Sequence, residues 1–458
     1  MSPPNDFPLF PPPDPTESSS HPSPRPSLRS GERRRSPLGP WINRAGIAAL
    51  VVVLAACAWK PVMRSHPRPL PLDEAVAFLA DALYPAIRDH RRFGFKPIRV
   101  AIDPFHSSET GQVLRASREI DAALAAAAGP GLNVRPMTPE NIRDADYAIN
   151  GTIERADADA PEGARWRIRA MAVDLRDGGV VGEADVWVTD PDLDVRPIPI
   201  HADSPVFFDH LPRPPRSGPE YLEGLGAAAL LAEAETLYGR GDYRGAAALL
   251  RQIVAADAGP ILKAWSGLYA SHRKLGNTEA MVEAFDRLVA ASVERYAVLT
   301  IKFLFRVNAT EFWPDAELRR QYALWLERIG LYFHRNPKPC LLIEGHSSRT
   351  GPETFNERLS LERALRIQKS LGPFFPDVAA RTRAAGRGFS QTILGIGTDD
   401  ARDLIDRRVV FEIIDCDTVT RGTKGTTDRN RWFAECASPF AEDGHGSSTD
   451  SSRRRGGV

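Results

Sequence analysis

Apolar residues change their spacing along the chain, and the changes mark out its regions. Over 72–195 the spacings are mixed. Ala75, Phe78, Leu79 and Leu83 share one helical face, whereas Ile98-Arg99-Val100-Ala101-Ile102 alternates as a strand ending at Asp103-Pro104-Phe105. HSSETGQ reads as a turn and Ser117 to Ala128 as a second helix. Asn133 to Pro136 and Tyr147 to Ile153 read as strands, followed by a hairpin of Trp166 to Leu175 and Val180 to Val188 around Asp177-Gly178-Gly179. A Pro-rich linker is expected over 196–220. Helical spacing then runs over 221–296 and repeats: Gly276 follows Gly241 by 35 residues, in LYGRGDYRGAAALLRQIV and LYASHRKLGNTEAMVEAFDRLV. Over 297–416 the pattern is strand (LTIKFLFRV), helix (Pro314 to Phe333), buried strand (Leu341 to His346), helix (Asn356 to Leu371) and two further strands, Val378 to Gly388 and Arg407 to Ile414. The expected fold class is multidomain α+β: an α/β domain, an α-helical repeat segment and a C-terminal β-α-β-α-β-β sandwich.

Outside these regions the chain lacks periodic apolar residues. Residues 1–40 are rich in Pro, Ser and Arg and are expected to be disordered, as is the tail over 417–458. The runs Arg33-Arg34-Arg35 and Arg453-Arg454-Arg455 read as solvated charges in those tails. Within 44–60 lies one strongly apolar run, AGIAALVVVLAACAW, flanked by Arg44 and Lys60. Its fifteen residues fall short of the roughly 17–25 of a membrane-spanning helix and suit the core of a secretory signal. Leu54-Ala55-Ala56-Cys57 resembles a bacterial lipobox, which implies lipidation at Cys57. The run begins some forty residues in, which a translation start near Leu38 would explain. The alternative is a single-pass inner-membrane anchor with a cytoplasmic, arginine-bearing tail. Both readings put the remainder in the periplasm.

The 458 residues leave room for two or three domains and carry no net charge, so charge gives no reason to expect a nucleic-acid partner. Four cysteines, Cys57, Cys340, Cys416 and Cys436, have neither metal-ligand spacing nor a histidine cluster, so no metal and no cofactor is expected. Among the last three, one disulfide would suit an oxidising compartment, with the pairing open.

Three resemblances add to this. VAIDPF, TGQ, ADYAINGTI and DLRDGGVVGEADVWV are similar to the periplasmic domain of CsgG-, FlgO- and LpoB-type lipoproteins, which assemble envelope machines or activate partners. The helical segment resembles two tetratricopeptide-type repeats, with Ala246, Leu250 and Ile253 matching Met281, Phe285 and Leu288; a helical spacer docked on a neighbour is the alternative. Most specifically, IEGHSSRTGPETFNERLSLERA and, later, DDARDLIDRRVVF resemble the signature of OmpA-like peptidoglycan-binding domains.

The last resemblance implies a site for the diaminopimelate of a peptide stem. A guanidinium fork binds carboxylates bidentately, and an ammonium wants a carboxylate or carbonyl. Arg363 and Arg407 occupy the positions of the family's carboxylate-binding arginines, Asn356 and Leu359 those of its helix-start pocket residues, and Ser347 that of its threonine. The family's loop aspartate is here Ser348, fifteen residues before Arg363; Arg349 has the wrong sign to replace it, and Glu344 or Asp406 is left as a compensating group.

No enzymatic constellation emerges. His346 beside Ser347 and Ser348, and His106 beside Ser107 and Ser108, lack a third orienting group at suitable spacing. Asp399-Asp400 reads as helix capping. The expectation is therefore a non-enzymatic envelope protein with peptidoglycan as partner, held at the outer membrane by a lipid or at the inner membrane by a single helix. The alternative is an assembly or activator protein whose upstream regions bind envelope proteins, with a weakened peptidoglycan pocket.

Overall fold

The computed structural model describes residues 62–91, 96–157, 159–191, 193–208, 215–257, 259–390 and 406–421. The expectations for the N-terminal tail, the apolar run with Cys57 and nearly all of the C-terminal tail lie outside them. Among the described residues no helix is long and apolar enough to cross a membrane.

The chain is mixed α/β, as its apolar spacing predicts. The first sheet comprises β1 (Val62–Ser65), β2 (Ile98–Ile102), β3 (His106–Ser107), β4 (Leu132–Pro136), β5 (Tyr147–Arg155), β6 (Trp166–Asp174) and β7 (Val180–Val188). Its order is β1-β7-β6-β5-β2-β4, with β3 on β5. β2 is parallel to both β4 and β5, while β5, β6 and β7 run antiparallel. Helices α1 (Leu72–His90) and α2 (Arg115–Ala126) cover one face, packing Leu79, Leu83, Ile120 and Leu124 on Val100 and Ile102. The single turn α3 (Asn141–Asp144) precedes β5. Ala101 points to the opposite face, where Tyr221, Leu225 and Ala229 of α5 (Gly218–Gly239) cover it. Burial on both faces is why β2 reads as a nearly continuous apolar run.

The stretch expected as a linker is packed instead. Ile198, Ile200, Val206 and Phe208, around the turn α4 (Pro199–Ala202), belong to the same core as the helices that follow. Its prolines hide these apolar anchors from a compositional reading. Helix α5 starts at Gly218, not Tyr221, because Pro219 suits a first helical turn.

Helices α5, α6 (Tyr243–Ala256), α7 (Ile261–Lys274) and α8 (Thr278–Tyr296) form two successive hairpins. The 35-residue offset in the sequence is visible in their turns. Gly241 and Gly276 both take positive φ (83° and 70°), and the next residue caps the following helix: Asp242 accepts from Gly245 N–H and Asn277 from Ala280 N–H.

The C-terminal region contains β8 (Val298–Ile301), α9 (Ala316–Arg335), β9 (Cys340–Gly345), α10 (Glu353–Leu371), α11 (Val378–Arg381), β10 (Thr382–Gly386), β11 (Val409–Ile414) and α12 (Cys416–Arg421). Sheet order is β10-β9-β11-β8, with only the β10–β9 pair parallel. Two strands are shorter than expected. β8 stops at Ile301 because Phe303 and Phe305 turn into an aromatic cluster with Phe312, Tyr322 and Trp325. Val378–Arg381 is a helical turn, held where Thr382 Oγ1 donates to the Val378 carbonyl (2.6 Å) and Arg381 to those of Phe333, Asn336 and Pro339.

This region shares one apolar core with the helices: Phe285 stacks on Trp325, with centroids 6.1 Å apart. Backbone also crosses over, because Phe207 N–H donates to Thr300 (3.0 Å) and Lys302 N–H to Pro205 (3.0 Å). The disulfide left open by the sequence joins Cys340 at the start of β9 to Cys416 in α12.

Candidate functional site

Helix α10 lies unusually close to the C-terminal sheet. A Cβ on Gly345 would stand 1.9 Å from the Ser360 carbonyl oxygen, and one on Gly386 2.4 Å from that of Glu357. Ser360 fastens the contact, its hydroxyl donating to the Glu357 carbonyl (2.8 Å) and accepting from Gly388 N–H (2.9 Å). Beyond the end of β9, His346 N–H donates to Arg408 (3.0 Å) and Ser347 N–H to Gly388 (2.8 Å). Three backbone segments thus run together beneath the start of α10, and the six expected binding residues fall around them.

All six are buried, which is unusual for the five polar ones at the end of a sheet. Asn356 donates from its side-chain amide to the carbonyls of Thr350 (2.9 Å), Gly351 (3.3 Å) and Pro352 (3.2 Å), so it holds the loop between β9 and α10. Leu359 packs beside it on the buried face of α10. Arg363 is 1% exposed and faces the β8–α9 loop: Nε donates to the Ala309 carbonyl (3.0 Å) and Nη2 to that of Arg306 (3.1 Å), over the Phe305 ring. Ser347 and Ser348 follow β9, and Arg407 precedes β11.

Of the two acidic groups considered in place of the family's loop aspartate, Glu344 is ion-paired with Arg387, and Asp406 is fully buried. His346 is 1% exposed, and neither ring nitrogen bonds any described residue; the same holds for Ser347 Oγ and Thr350 Oγ1. Burial, with Arg408 and Arg387 adding to it, holds the His346 imidazole well below its usual range and therefore neutral. It makes no hydrogen bond to Ser347, so the nucleophile–base geometry of a hydrolase is not formed there.

Two features of the site had no clear mark in the sequence. The loop carbonyls that take up Arg363 belong to backbone and carry no side-chain signature. The unsatisfied His346 could have been noticed, because a histidine at the end of a buried strand must bury its ring.

No family model matches the chain. It is similar to part of an outer membrane protein. That protein is Omp38 of Acinetobacter baumannii, 31% identical over 104 residues, which are 23% of this chain and 29% of Omp38. The chain thus spans less than a third of this curated relative's length. Among solved structures, the peptidoglycan-associated lipoprotein from Burkholderia pseudomallei aligns over 24% of this chain and 88% of its own, at 21% identity and a TM-score of 0.22. The OmpA-like domain of FopA1 from Francisella tularensis aligns over 26% and 74%, at 15% identity and a TM-score of 0.20.

Proposed function

We propose that this chain is a non-enzymatic protein of the bacterial cell envelope and that residues 297–416 form an OmpA-like domain binding peptidoglycan non-covalently, through the diaminopimelate of its peptide stem. The observation that carries this reading is the buried polar end of the C-terminal sheet. His346, Ser347 and Thr350 have side-chain atoms without partners among the described residues, next to the positions of Asn356, Arg363 and Arg407. Buried polar atoms in folded proteins are almost always satisfied, so such a cluster suits a polar ligand. The ordered signature residues and the likeness to a stretch of Omp38 support the same reading. A disulfide suits the periplasm. In this picture the N-terminal apolar run anchors the chain, by a lipid on Cys57 or as a single inner-membrane helix. The α/β region and the helical hairpins contact other envelope proteins.

A second reading is favoured by Arg363, whose guanidinium already serves the Arg306 and Ala309 carbonyls, and by Ser348 where the family has an acid. Here the pocket is weakened, and assembly or activation through the upstream regions is the main activity. Co-sedimentation of the full chain with purified sacculi separates the two. Retention that free diaminopimelate releases is the expected result; a chain that stays in the supernatant leaves the second reading.

A further inference from the structure

Strand β2 is a switch point of the first sheet. The chain leaves it through α2 to reach β4 on one side and then returns to β5 on the other. Such an arrangement opens a crevice beyond the strand's carboxyl end, where ligands characteristically bind in open α/β sheets. In this protein α5 and α7 roof the crevice and leave a cavity of about 510 Å³, a size that suits a small molecule. Asp103, Pro104 and His106 wall it from the sheet; Leu231, Leu262 and Lys263 wall it from the helices. The first turns of both roofing helices line it too, so two partial positive charges face the space.

The charges around this cavity do not balance locally. Asp103 is occupied by Arg216 Nη2 and the Tyr221 hydroxyl, each at 3.2 Å. Glu235 is occupied by His201 Nε2 (2.9 Å) and Arg118 Nη2 (3.2 Å). Lys263 has no carboxylate within ion-pair distance among the described residues; its Nζ lies 5.8 Å from the centre of the Phe208 ring. Burial lowers its amine to about 8, which still leaves it mostly protonated at neutral pH. Its nearest opposite charges, Glu235 and Asp103, act on it only at longer range and are each bonded to other partners, so an incoming anion in contact with the ammonium offsets part of its burial cost. The wall's own carboxylates, Asp103, Glu220 and Glu235, disfavour a doubly charged guest.

We propose that this cavity binds a small organic monocarboxylate, its carboxylate paired with Lys263 Nζ at the start of α7 and its apolar body against Leu231 and Leu262. The site is separate from the C-terminal one and does not depend on the reading given for it. To test it, the full chain is titrated with acetate, butyrate and benzoate at constant ionic strength while Tm is followed. Benzamide serves as the uncharged control and inorganic phosphate as the dianion control. At least one carboxylate should raise Tm saturably, with benzamide inert. Lys263→Met should weaken that response about tenfold or more. Ala228→Phe, which fills the cavity from α5 and leaves Lys263 in place, should also abolish it. No response to any carboxylate, an equal response in Lys263→Met, or tighter binding of phosphate overturns the proposal. Should Lys263→Met fail to fold by circular dichroism, Ala228→Phe decides, and an unchanged response there is equally fatal.

Discussion

Gly345 and Gly386 stand opposite each other in register on β9 and β10, and each holds the backbone of α10 where a side chain would otherwise be. The blocking atoms are main-chain carbonyl oxygens, which cannot swing aside. Gly345→Ala must therefore push α10 off the sheet and should cost about 3 kcal/mol, at the upper end for overpacked cores. Urea denaturation of the full chain would show this as a lowered midpoint, and a midpoint equal to wild type would contradict the packing described.

The Cys340–Cys416 bond closes a stretch 76 residues long in sequence, which includes α10 and all six expected binding residues. Loop-closure entropy for such a stretch amounts to about 4.5 kcal/mol, and native disulfides typically contribute about 2–4 kcal/mol. Cys416→Ser should lower Tm, and reductant should lower the wild-type Tm but leave that of the variant where it is. Equal sensitivity of the two proteins would mean that the bond contributes nothing.

His346 makes a signed pH prediction. Burial, with Arg408 and Arg387 adding to it, depresses its folded pKa well below the ordinary 6.5. Its contribution is complete above that value and is lost as pH falls, because the unfolded chain takes up a proton that the folded chain refuses. Stability should drop below pH 6.5 by about 1 kcal/mol per unit from this group. His346→Phe should flatten that dependence between neutral pH and the carboxylate range. Identical slopes in chemical denaturation would show that the ring is hydrated in the folded state.

Ser348 and Arg363 give opposite expectations at the candidate pocket. Ser348→Asp restores the acidic group of the family signature and should raise retention on sacculi, where a neutral or negative effect would argue against the pocket's alignment. Arg363→Ala strips donors from two part-buried carbonyls and should destabilise the fold by about 1–3 kcal/mol. Lost retention in that variant is informative only alongside its Tm; cleavage within the β8–α9 loop in limited proteolysis would report the loosened clasp.

Much of this architecture can be read from the sequence because the signals are local. Gly241-Asp242 and Gly276-Asn277 announce their turns through positive φ and a capping side chain. The residues that seat α10 are likewise present as Gly345 and Ser360 inside one contiguous motif. The failures are non-local. Phe303 and Phe305 continue the alternation of β8, yet their rings serve a cluster built from α9, so the strand ends early. Val206 and Phe208 sit among prolines, and nothing nearby tells that they will be buried against helices far along the chain. The acceptors of Arg363 are main-chain groups, which no residue identity encodes.

The paired backbone of Pro205–Phe207 and β8 bears on how the C-terminal region can be handled. Cutting the chain near residue 297 would strip the partner from that outer strand and uncover Trp325 where Phe285 now stacks. An excised C-terminal fragment should therefore self-associate through the bared strand and its neighbouring apolar surface. What folds as a unit here is larger than the stretch that carries the sequence resemblance.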